Sequence, residues 1–407
     1  MSLKKIVFVL FIFFVFPLSI SANEIPLKAA FIRDNQLWLK DGQLETKLTQ
    51  DNYVFNPQWS SDGRYLAYLV AEQIDSSRYL NFYDLEQKAV VPLDGERIET
   101  TNFKWSPFSN QLAFLVEGGG LNLIQINDDR IEGFQNISLG VSDFEWFPNG
   151  REFIVSSQAQ LLPTGWGPIR LFKVPVEENL DFKKTTPFYT IETNNYDFFA
   201  IDVKHFNWSS DGKWLSFIAS PTASLSNDTT TLCVLDSTGQ EFHILGKMLG
   251  NKHWTKWNPQ VNQLAFISGE GRYLIENKQL IVNDVPQWNH NSTYTPKGYV
   301  DLAIEWLTSD EFIVARAKED KNWKDGPVPI SFTTLYKVNI KTNEQTQITF
   351  PSQTEYDRDP QRIASFLSWS RRNELEDKMD IFIRDDDTGI ESLWLQNIDA
   401  PPIFIPQ

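Results

Sequence analysis

One stretch of the sequence decides the fold: Pro57-Gln-Trp59-Ser-Ser-Asp-Gly63, which is followed by the apolar run Leu66-Ala-Tyr-Leu69. The step that ends on Trp59 alternates apolar and polar side chains, which is typical of a half-buried strand. Ser-Asp-Gly then supplies a turn, because glycine adopts positive φ and the serine and aspartate side chains cap nearby backbone amides. The stretch therefore predicts two antiparallel strands joined by a tight turn.

The same pattern recurs along the chain, each time with a tryptophan near a turn and an apolar run after it. The tryptophans are Trp59, Trp105, Trp146, Trp208, Trp257, Trp306 and Trp369. Most copies continue with two more strand-like segments, as in Leu80-Asn-Phe-Tyr83 and Ala89-Val-Val91. Repeats of about 40 to 50 residues with four strands each are the signature of propeller blades. We predict an all-β fold, a single β-propeller of seven or eight four-stranded antiparallel blades, with these tryptophans packed between blades.

The N-terminal part of the chain divides into a leader and an incomplete repeat. Residues 1–22 have two lysines, an apolar run from Ile6 to Phe16 and small residues after it, which predicts a signal peptide. Residues 23–407 form the predicted propeller domain. Its first module, from Ala30 to Leu48, has three strands and lacks a tryptophan strand. Since a ring must hide its sheet edges, this module should form an eighth blade or pair with the C-terminal strands.

The leader and the composition indicate where the protein acts and which classes of partner are unfavourable. The leader predicts a secreted or extracytoplasmic protein of the periplasm or cell envelope, anchored where the leader is not cleaved. The single cysteine, Cys233, has no intrachain disulfide partner and is predicted to lie in the core. A formal charge of -16 without a basic tract argues against nucleic acid and anionic membranes as partners. We expect a monomer.

The motif Trp-Ser-Ser-Asp-Gly, at residues 59–63 and 208–212, resembles the blade motif of TolB-like propellers when Leu-Ala-Tyr or Leu-Ser-Phe follows it. It also resembles the propeller domains of the prolyl oligopeptidase and dipeptidyl-peptidase families. The resemblance covers essentially the whole mature chain and implies the fold. Those peptidases carry a separate hydrolase domain with a Gly-X-Ser-X-Gly nucleophile motif, which this sequence lacks. We therefore predict a non-catalytic propeller, with no cofactor and no metal, since the four histidines are dispersed.

Alternating strand direction puts two kinds of connection on opposite faces of the ring. The long connections fall in the B-to-C and D-to-A classes, which share one face; they are predicted at residues 157–168, 185–204, 220–229, 285–300, 317–331 and 350–363. Long loops on a rigid scaffold usually carry the binding residues. The candidate binding residues there are Trp166, Trp288, His290, Trp323, Tyr356, Asp357, Arg358 and Asp359.

Two functions remain open from the sequence. The first is a binding scaffold for a protein, a peptide or an envelope glycan, since exposed aromatic rings bury area at low entropy cost. The second is a glycan hydrolase or lyase that uses Glu355, Asp357, Asp359 or His290. Two carboxylates in an open axial pocket would favour glycosidic chemistry, whereas salt-bridged carboxylates would favour binding. The competing structural interpretation is that the aromatics pack the loops and that Asp357, Arg358 and Asp359 form an ion-pair network.

Overall fold

Eight four-stranded antiparallel sheets make up the protein. The computed structural model describes residues 27–406 except 51, 128–129, 194–197, 222–228 and 289–291. Within those residues, the helical segments are two single 3₁₀ turns, Phe182–Lys184 and Lys252–Trp254. No helix in the described ranges is both long and apolar enough to span a bilayer. The predicted all-β propeller is confirmed, with eight blades; the predicted signal peptide lies outside the described residues.

Each blade has strands A to D, ordered from the inside of the ring outwards. Blade 1 is formed by Ile403–Phe404, Lys28–Arg33, Gln36–Asp41 and Leu44–Lys47. Blade 2 is formed by Tyr53–Trp59, Tyr65–Ala71, Tyr79–Asp84 and Ala89–Val90. Blade 3 is formed by Asn102–Trp105, Gln111–Val116, Gly120–Gln125 and Gln135–Ser138. Blade 4 is formed by Asp143–Trp146, Glu152–Ser156, Ile169–Pro175 and Thr186–Ile191. Blade 5 is formed by Asp202–Trp208, Trp214–Ser220, Thr229–Asp236 and Phe242–Leu249. Blade 6 is formed by Thr255–Trp257, Gln263–Ser268, Gln279–Asp284 and Ser292–Thr293. Blades 7 and 8 are Tyr299–Trp306, Glu311–Lys318, Thr334–Asn339 and Gln345–Gln347; Glu355–Ile363, Phe366–Asn373, Met379–Asp385 and Glu391–Ile398. A small hairpin, Leu161–Leu162 with Gly165–Trp166, lies between strands B and C of blade 4.

The A strands surround the axis, since the A strands of neighbouring blades contact each other. Behind them, the B and C strands pack face to face with the next blade and bury the apolar runs that the sequence showed. Phe114, Phe153, Phe217 and Phe266 are all fully buried at such positions. Cys233 is also fully buried, as predicted, and burial raises the pKa of its thiol. The core is therefore a series of apolar layers between blades.

The ring is closed by the C-terminal strand. Ile403–Phe404 pairs antiparallel with Lys28–Arg33, opposite Ala30 and Ala29, and so becomes strand A of blade 1. The backbone N–H of Ile405 also donates to Lys28 O at 3.0 Å. Both parts of the prediction for the N-terminal module are confirmed, because it forms an eighth blade and pairs with a C-terminal strand.

The blade tryptophans form a directional ladder of hydrogen bonds. In blades 2 to 7 the indole Nε1–H donates to a backbone carbonyl on strand A of the preceding blade, at 2.8–3.1 Å. The pairs are Trp59 to Ile403, Trp105 to Gln58, Trp146 to Lys104, Trp208 to Trp146, Trp257 to Asn207 and Trp306 to Lys256. Each indole N–H thus finds an acceptor where it is buried between sheets. The repeated tryptophan therefore holds neighbouring blades together through a hydrogen bond as well as through the apolar surface that its ring buries.

Trp369 was wrongly assigned as the seventh copy of this ladder. It lies on strand B of blade 8, fully buried and stacked on Phe382 with ring centroids 5.9 Å apart. Its Nε1 has no hydrogen-bond partner among the described residues. The A strand of this blade carries Arg362 at the ladder position, so the nearest tryptophan in sequence belongs to the next strand. Its predicted role as core is confirmed.

The ladder leads to a comparison of two conservative substitutions. Trp146→Phe removes the hydrogen bond from the indole to Lys104 O. Trp369→Phe removes a similar volume and no hydrogen bond. We expect Trp146→Phe to lower the free energy of unfolding by about 1–2 kcal/mol more than Trp369→Phe, measured by urea denaturation. Equal losses would mean that the ladder acts through packing alone.

The two faces of the ring differ as antiparallel connectivity requires. The turn face carries the A-to-B and C-to-D turns, and the long-loop face carries the B-to-C and D-to-A connections. Three predicted loops are corrected. Residues 186–191 are strand D of blade 4. Residues 285–300 contain the two-residue strand Ser292–Thr293, which puts residues 285–288 on the turn face. Most of residues 350–363 is strand A of blade 8.

Blades 7 and 8 each contain a buried ion pair between strands A and B. The carboxylate of Asp301 accepts from Arg316 Nε at 2.7 Å and from its Nη2 at 2.9 Å, and both side chains are almost fully buried. Asp357 and Arg371 occupy the same register in blade 8, at 2.7 and 3.0 Å. In blade 2 the equivalent pair is Val54 opposite Val70. One position in the repeat thus accepts either an apolar pair or a bidentate ion pair.

Candidate functional site

Trp166 and Trp323 lie on the long-loop face, as predicted. Trp166 is half-buried at the end of the small hairpin, and its carbonyl accepts from Thr193 Oγ1 at 2.6 Å. Trp323 donates from Nε1 to Pro327 O at 3.2 Å, and its ring meets Tyr273 edge-on with centroids 4.7 Å apart. Each ring is therefore held by its own surroundings while one part stays accessible from the loop face.

Trp288 does not lie on that face. It belongs to the C-to-D turn of blade 6, is 8% exposed, and packs edge-on against Trp214 with centroids 5.1 Å apart. The prediction that it is an exposed loop aromatic is wrong. The strand Ser292–Thr293 has only two residues and no recognisable sequence pattern, so the sequence did not show that the C-to-D turn ends before it. His290 lies outside the described residues.

Tyr356, Asp357, Arg358 and Asp359 were predicted on a loop and lie instead on strand A of blade 8. Asp357 is fully buried in its ion pair with Arg371, which confirms the ion-pair interpretation for this residue. Asp359 has φ of 51° and accepts from Ser370 Oγ at 2.7 Å. Burial lowers the pKa of Arg358, whose guanidinium lies 4.9 Å from the centroid of the Tyr356 ring.

The long-loop face has a groove of about 790 Å³ at the inner ends of blades 2 to 5. Its floor is formed by the first residues of strands A and the residues before them, among them Asn102, Ser142 and Lys204. Its outer wall comes from the B-to-C loop of blade 2, including the exposed Ile74, and its end from Gln158. The lining mixes polar and apolar groups, which suits a polymer segment better than a compact apolar ligand.

Two carboxylates at the floor of this groove are already engaged. Asp143 accepts from Asn102 Nδ2 at 2.8 Å and from the backbone N–H of His205, also at 2.8 Å. Asp202 accepts from Ser142 Oγ at 2.8 Å and pairs with Lys204 at 2.7 Å. These bonds hold the starts of three neighbouring A strands together, so the floor of the groove is a preformed surface.

Several ionisable side chains lie on or just before the A strands, which surround the axis. We call this group the axial cluster; its members are Lys104, His205, Lys252, His253, Lys256 and Asp359. Burial lowers the pKa of both His205 and His253.

Two ion pairs between neighbouring blades lie deeper along the axis. Lys104 reaches Glu145 at 2.8 Å, and Lys256 reaches Glu305 at 2.8 Å. Burial opposes the charge of Lys104, yet Glu145 and Asp143 prevail and its pKa is raised. Burial raises the pKa of Glu305, with Lys256 acting against it. Among the described residues, no group of three or more His, Cys, Asp or Glu side chains is arranged to hold a metal ion.

A second cavity of about 660 Å³ lies between blades 8 and 1. Arg33 pairs there with Glu45 at 2.6 Å, and Lys378 pairs with Asp34. Since its charges neutralise one another, this cavity offers less to a ligand than the long-loop face does.

The sequence did contain a signal for the axial residues. The residue before each blade tryptophan is polar, and it is this position that supplies Lys104, Glu145, Lys256 and Glu305. The bulged residues nearer the long-loop face lie three positions before the tryptophan, as His205 does before Trp208. The strands were predicted, but their inward-facing side chains were not considered as site residues, because the candidate residues were taken from the long loops alone.

Comparisons with known proteins support the fold of the chain and do not identify its function. No protein-family model and no curated protein sequence matches the chain. Dipeptidyl peptidase 4 from Porphyromonas gingivalis has a TM-score of 0.60 at 9% identity, covering 92% of this chain and 59% of that one. The dihydro-heme d1 dehydrogenase NirN has a TM-score of 0.61 at 13% identity, with coverage of 94% and 75%. A prolyl endopeptidase gives 0.53 at 11% identity, with 86% of this chain and 51% of that one.

The chain thus spans only about half to three-fifths of the peptidases that it resembles. At such low identity the likeness concerns the backbone alone. No match supports the narrower TolB-like resemblance, which stays a prediction. What the comparisons and the sheet topology show together is a β-propeller of eight four-stranded blades, similar in fold to the propellers of peptidases.

Proposed function

We propose that the protein is a non-catalytic binding scaffold that acts outside the cytoplasm as a monomer and holds a protein, peptide or envelope glycan on its long-loop face. The observation that carries the proposal is the groove of about 790 Å³ with its preformed polar floor. Exposed rims with mixed polar and apolar groups favour recognition of an extended polymer. Trp166 and Trp323 stand on the same face as further contact residues.

The alternative function, glycoside hydrolysis, would use the carboxylates of Glu355, Asp357 and Asp359. Their surroundings support a binding role better than a catalytic one. Asp357 is fully buried against Arg371, and Asp359 is held by Ser370. Glu355 accepts from the backbone N–H of Ser352 at 3.1 Å, which contributes to a lowered pKa, opposite to what a general acid needs. Each of these three carboxyl groups therefore has a structural partner in the described part of the chain.

The test is affinity capture from envelope extract with the groove altered and the fold kept. Ile74→Asp and Gln158→Arg change two exposed groove residues, while Phe108→Asp alters a side chain of the turn face that is 72% exposed. We expect the groove double variant to lose its captured partner about tenfold or more, a change typical of charges placed inside an interface. Phe108→Asp should retain capture. Equal capture by both variants, with unchanged circular dichroism, would rule out the groove as the binding surface.

A further inference from the structure

Arg78 is a cation of the groove whose side chain has no ion-pair or hydrogen-bond partner among the described residues. It ends the B-to-C loop of blade 2 and lies in the lining of the groove. Its guanidinium carbon lies 4.0 Å from the centroid of the Phe55 ring, which belongs to strand A of the same blade. Its backbone carbonyl accepts from the N–H of Thr100 at 3.1 Å. The ring and the backbone therefore hold the guanidinium beside the groove and leave its N–H groups unpaired.

An arginine held in this way is suited to a carboxylate. The five N–H donors of a guanidinium lie in its plane, so a contact with a ring leaves them unpaired, and two of them match the two oxygens of a carboxylate. A guanidinium is also more weakly hydrated than an ammonium, so its water is easier to remove. The other cation of the described lining, Lys204, is already paired with Asp202 at 2.7 Å. Arg78 is therefore the cation that an incoming carboxylate would meet.

Three carboxylates share the groove with Arg78 and make it selective. Asp75, Glu99 and Glu117 lie in the lining and are exposed, and their side chains have no ion pair or hydrogen bond in the part of the chain that the structure describes. They repel an occupant that is acidic throughout and attract basic groups. The occupant that fits these charges carries a carboxylate at Arg78 and a positive charge elsewhere along its length.

The remainder of the lining favours a peptide over a glycan. Ile74 and Val116 offer aliphatic surface on which the side chains of a peptide can pack. The hydroxyl groups of Ser77 and Thr101 can donate to a peptide backbone or accept from it. The described lining contains no aromatic ring on which a sugar could stack. A mixed-charge peptide therefore matches the groove better than a sugar chain does.

We propose that the groove binds an extended peptide that has a carboxylate held by Arg78 and a basic residue facing Asp75, Glu99 and Glu117. The carboxylate belongs to an Asp or Glu side chain or to the C-terminus of the peptide. The inference rests on the scaffold function proposed above and names the class of its partner. The bonds between the carboxylate and Arg78 are charge-assisted, which makes them stronger than neutral hydrogen bonds.

Selection from libraries of short random peptides tests the proposal. The purified protein is presented with one library that has free C-termini and with another that has amidated C-termini, and the bound peptides are sequenced. From the amidated library we expect Asp or Glu to be selected about tenfold over Asn or Gln at one position, the size of one charge-assisted bond. Binding confined to the other library would assign the carboxylate to the C-terminus. In both cases Lys or Arg should be enriched at a second position.

Arg97→Gln is the matched control for Arg78→Gln. The Arg97 guanidinium carbon lies 3.8 Å from the centroid of the Tyr79 ring, but this arginine pairs with Glu72 and does not line the groove. Arg78→Gln should lose the selection of carboxylates, and Arg97→Gln should retain it. Arg78→Lys keeps the charge and should select carboxylates only weakly, because an ammonium lacks the planar fork. Unchanged circular dichroism would show that the three variants are folded.

Four results would overturn the proposal. They are equal selection of carboxylates by the unmodified protein and Arg78→Gln, peptide binding without preference for a carboxylate, the absence of any selected peptide, and retention of a uronic-acid oligosaccharide in place of peptides. The groove variant with Ile74→Asp and Gln158→Arg separates this inference from the scaffold proposal. Peptides that lack a carboxylate preference and are lost in that variant would overturn this inference alone. Peptides that bind equally to that variant would overturn the groove as the binding surface as well.

Discussion

Deleting residues 400–407 opens the ring, and we expect the midpoint of thermal unfolding to fall by about 10 °C or more, as follows from a loss of several kcal/mol. The deletion removes strand A of blade 1, so Ala29 and Ala30 lose their pairing. It also removes the acceptor of the Trp59 indole and the stacking of Phe404 on Trp394, with ring centroids 5.3 Å apart. Differential scanning calorimetry measures the effect.

The same deletion exposes a sheet edge, which invites association between molecules. Light scattering should therefore show oligomers at concentrations where the intact chain is monodisperse. Deleting only residues 406–407, which lie beyond the closing strand, is the matched control and should leave both measurements unchanged. Addition of a peptide corresponding to residues 399–407 should restore the midpoint in part. Cooperative unfolding at the original midpoint after the larger deletion would show that closure contributes little.

Removing Arg316 should cost about 3–5 kcal/mol, because it leaves the buried carboxylate of Asp301 without its bidentate partner. The comparison is Lys341→Ala, whose ion pair with Asp310 is exposed and should be worth less than about 1 kcal/mol. Asp301→Val combined with Arg316→Val copies the Val54 and Val70 pair of blade 2 and should recover most of the loss. Chemical denaturation of the four proteins at pH 7 tests the prediction.

The loss in Arg316→Ala should depend on pH. Burial raises the pKa of Asp301, and Arg316 opposes that rise. A carboxyl with a raised folded-state pKa contributes its stability at low pH and loses it as the pH rises through that value. Without Arg316 the pKa rises further, so the deficit should shrink between pH 7 and pH 5. A deficit of the same size at both pH values would show that the lost packing of the arginine stem, and not the unpaired charge, is responsible.

The repeat predicted blades 2 to 7 well because tryptophan, turn and apolar run occur together in each of these six. The A strand of blade 8 was missed because it reads Asp359-Pro-Gln-Arg362, which corresponds to Asn56-Pro-Gln-Trp59 of blade 2 with the tryptophan replaced. Gln58 and Gln361 confirm the match, since each donates to a backbone carbonyl on or beside strand A of the next blade. A search for the bulge sequence instead of the tryptophan would have found this strand.

The candidate site was less predictable than the fold. The long-loop face followed from strand alternation, which any antiparallel blade obeys. Which side chains meet there depends on how the blades pack around the ring, since the groove combines residues from blade 2, such as Ile74, with residues as far along the chain as Lys204 in blade 5. No local pattern encodes that juxtaposition. Trp288 shows the complementary error, because a two-residue strand is too short to leave a recognisable alternation.

The closing strand also has a consequence for biosynthesis. Trp59 and the carbonyl of Ile403 that it binds are 344 residues apart in sequence, and the ring needs both. A ribosome releases the N-terminal blades long before the strand that completes blade 1, so the native ring forms only after synthesis of the last residues. Contacts of such sequence separation also slow folding. A chain built in this way stays unfinished, and open to handling by chaperones or a translocase, for the whole time of its translation.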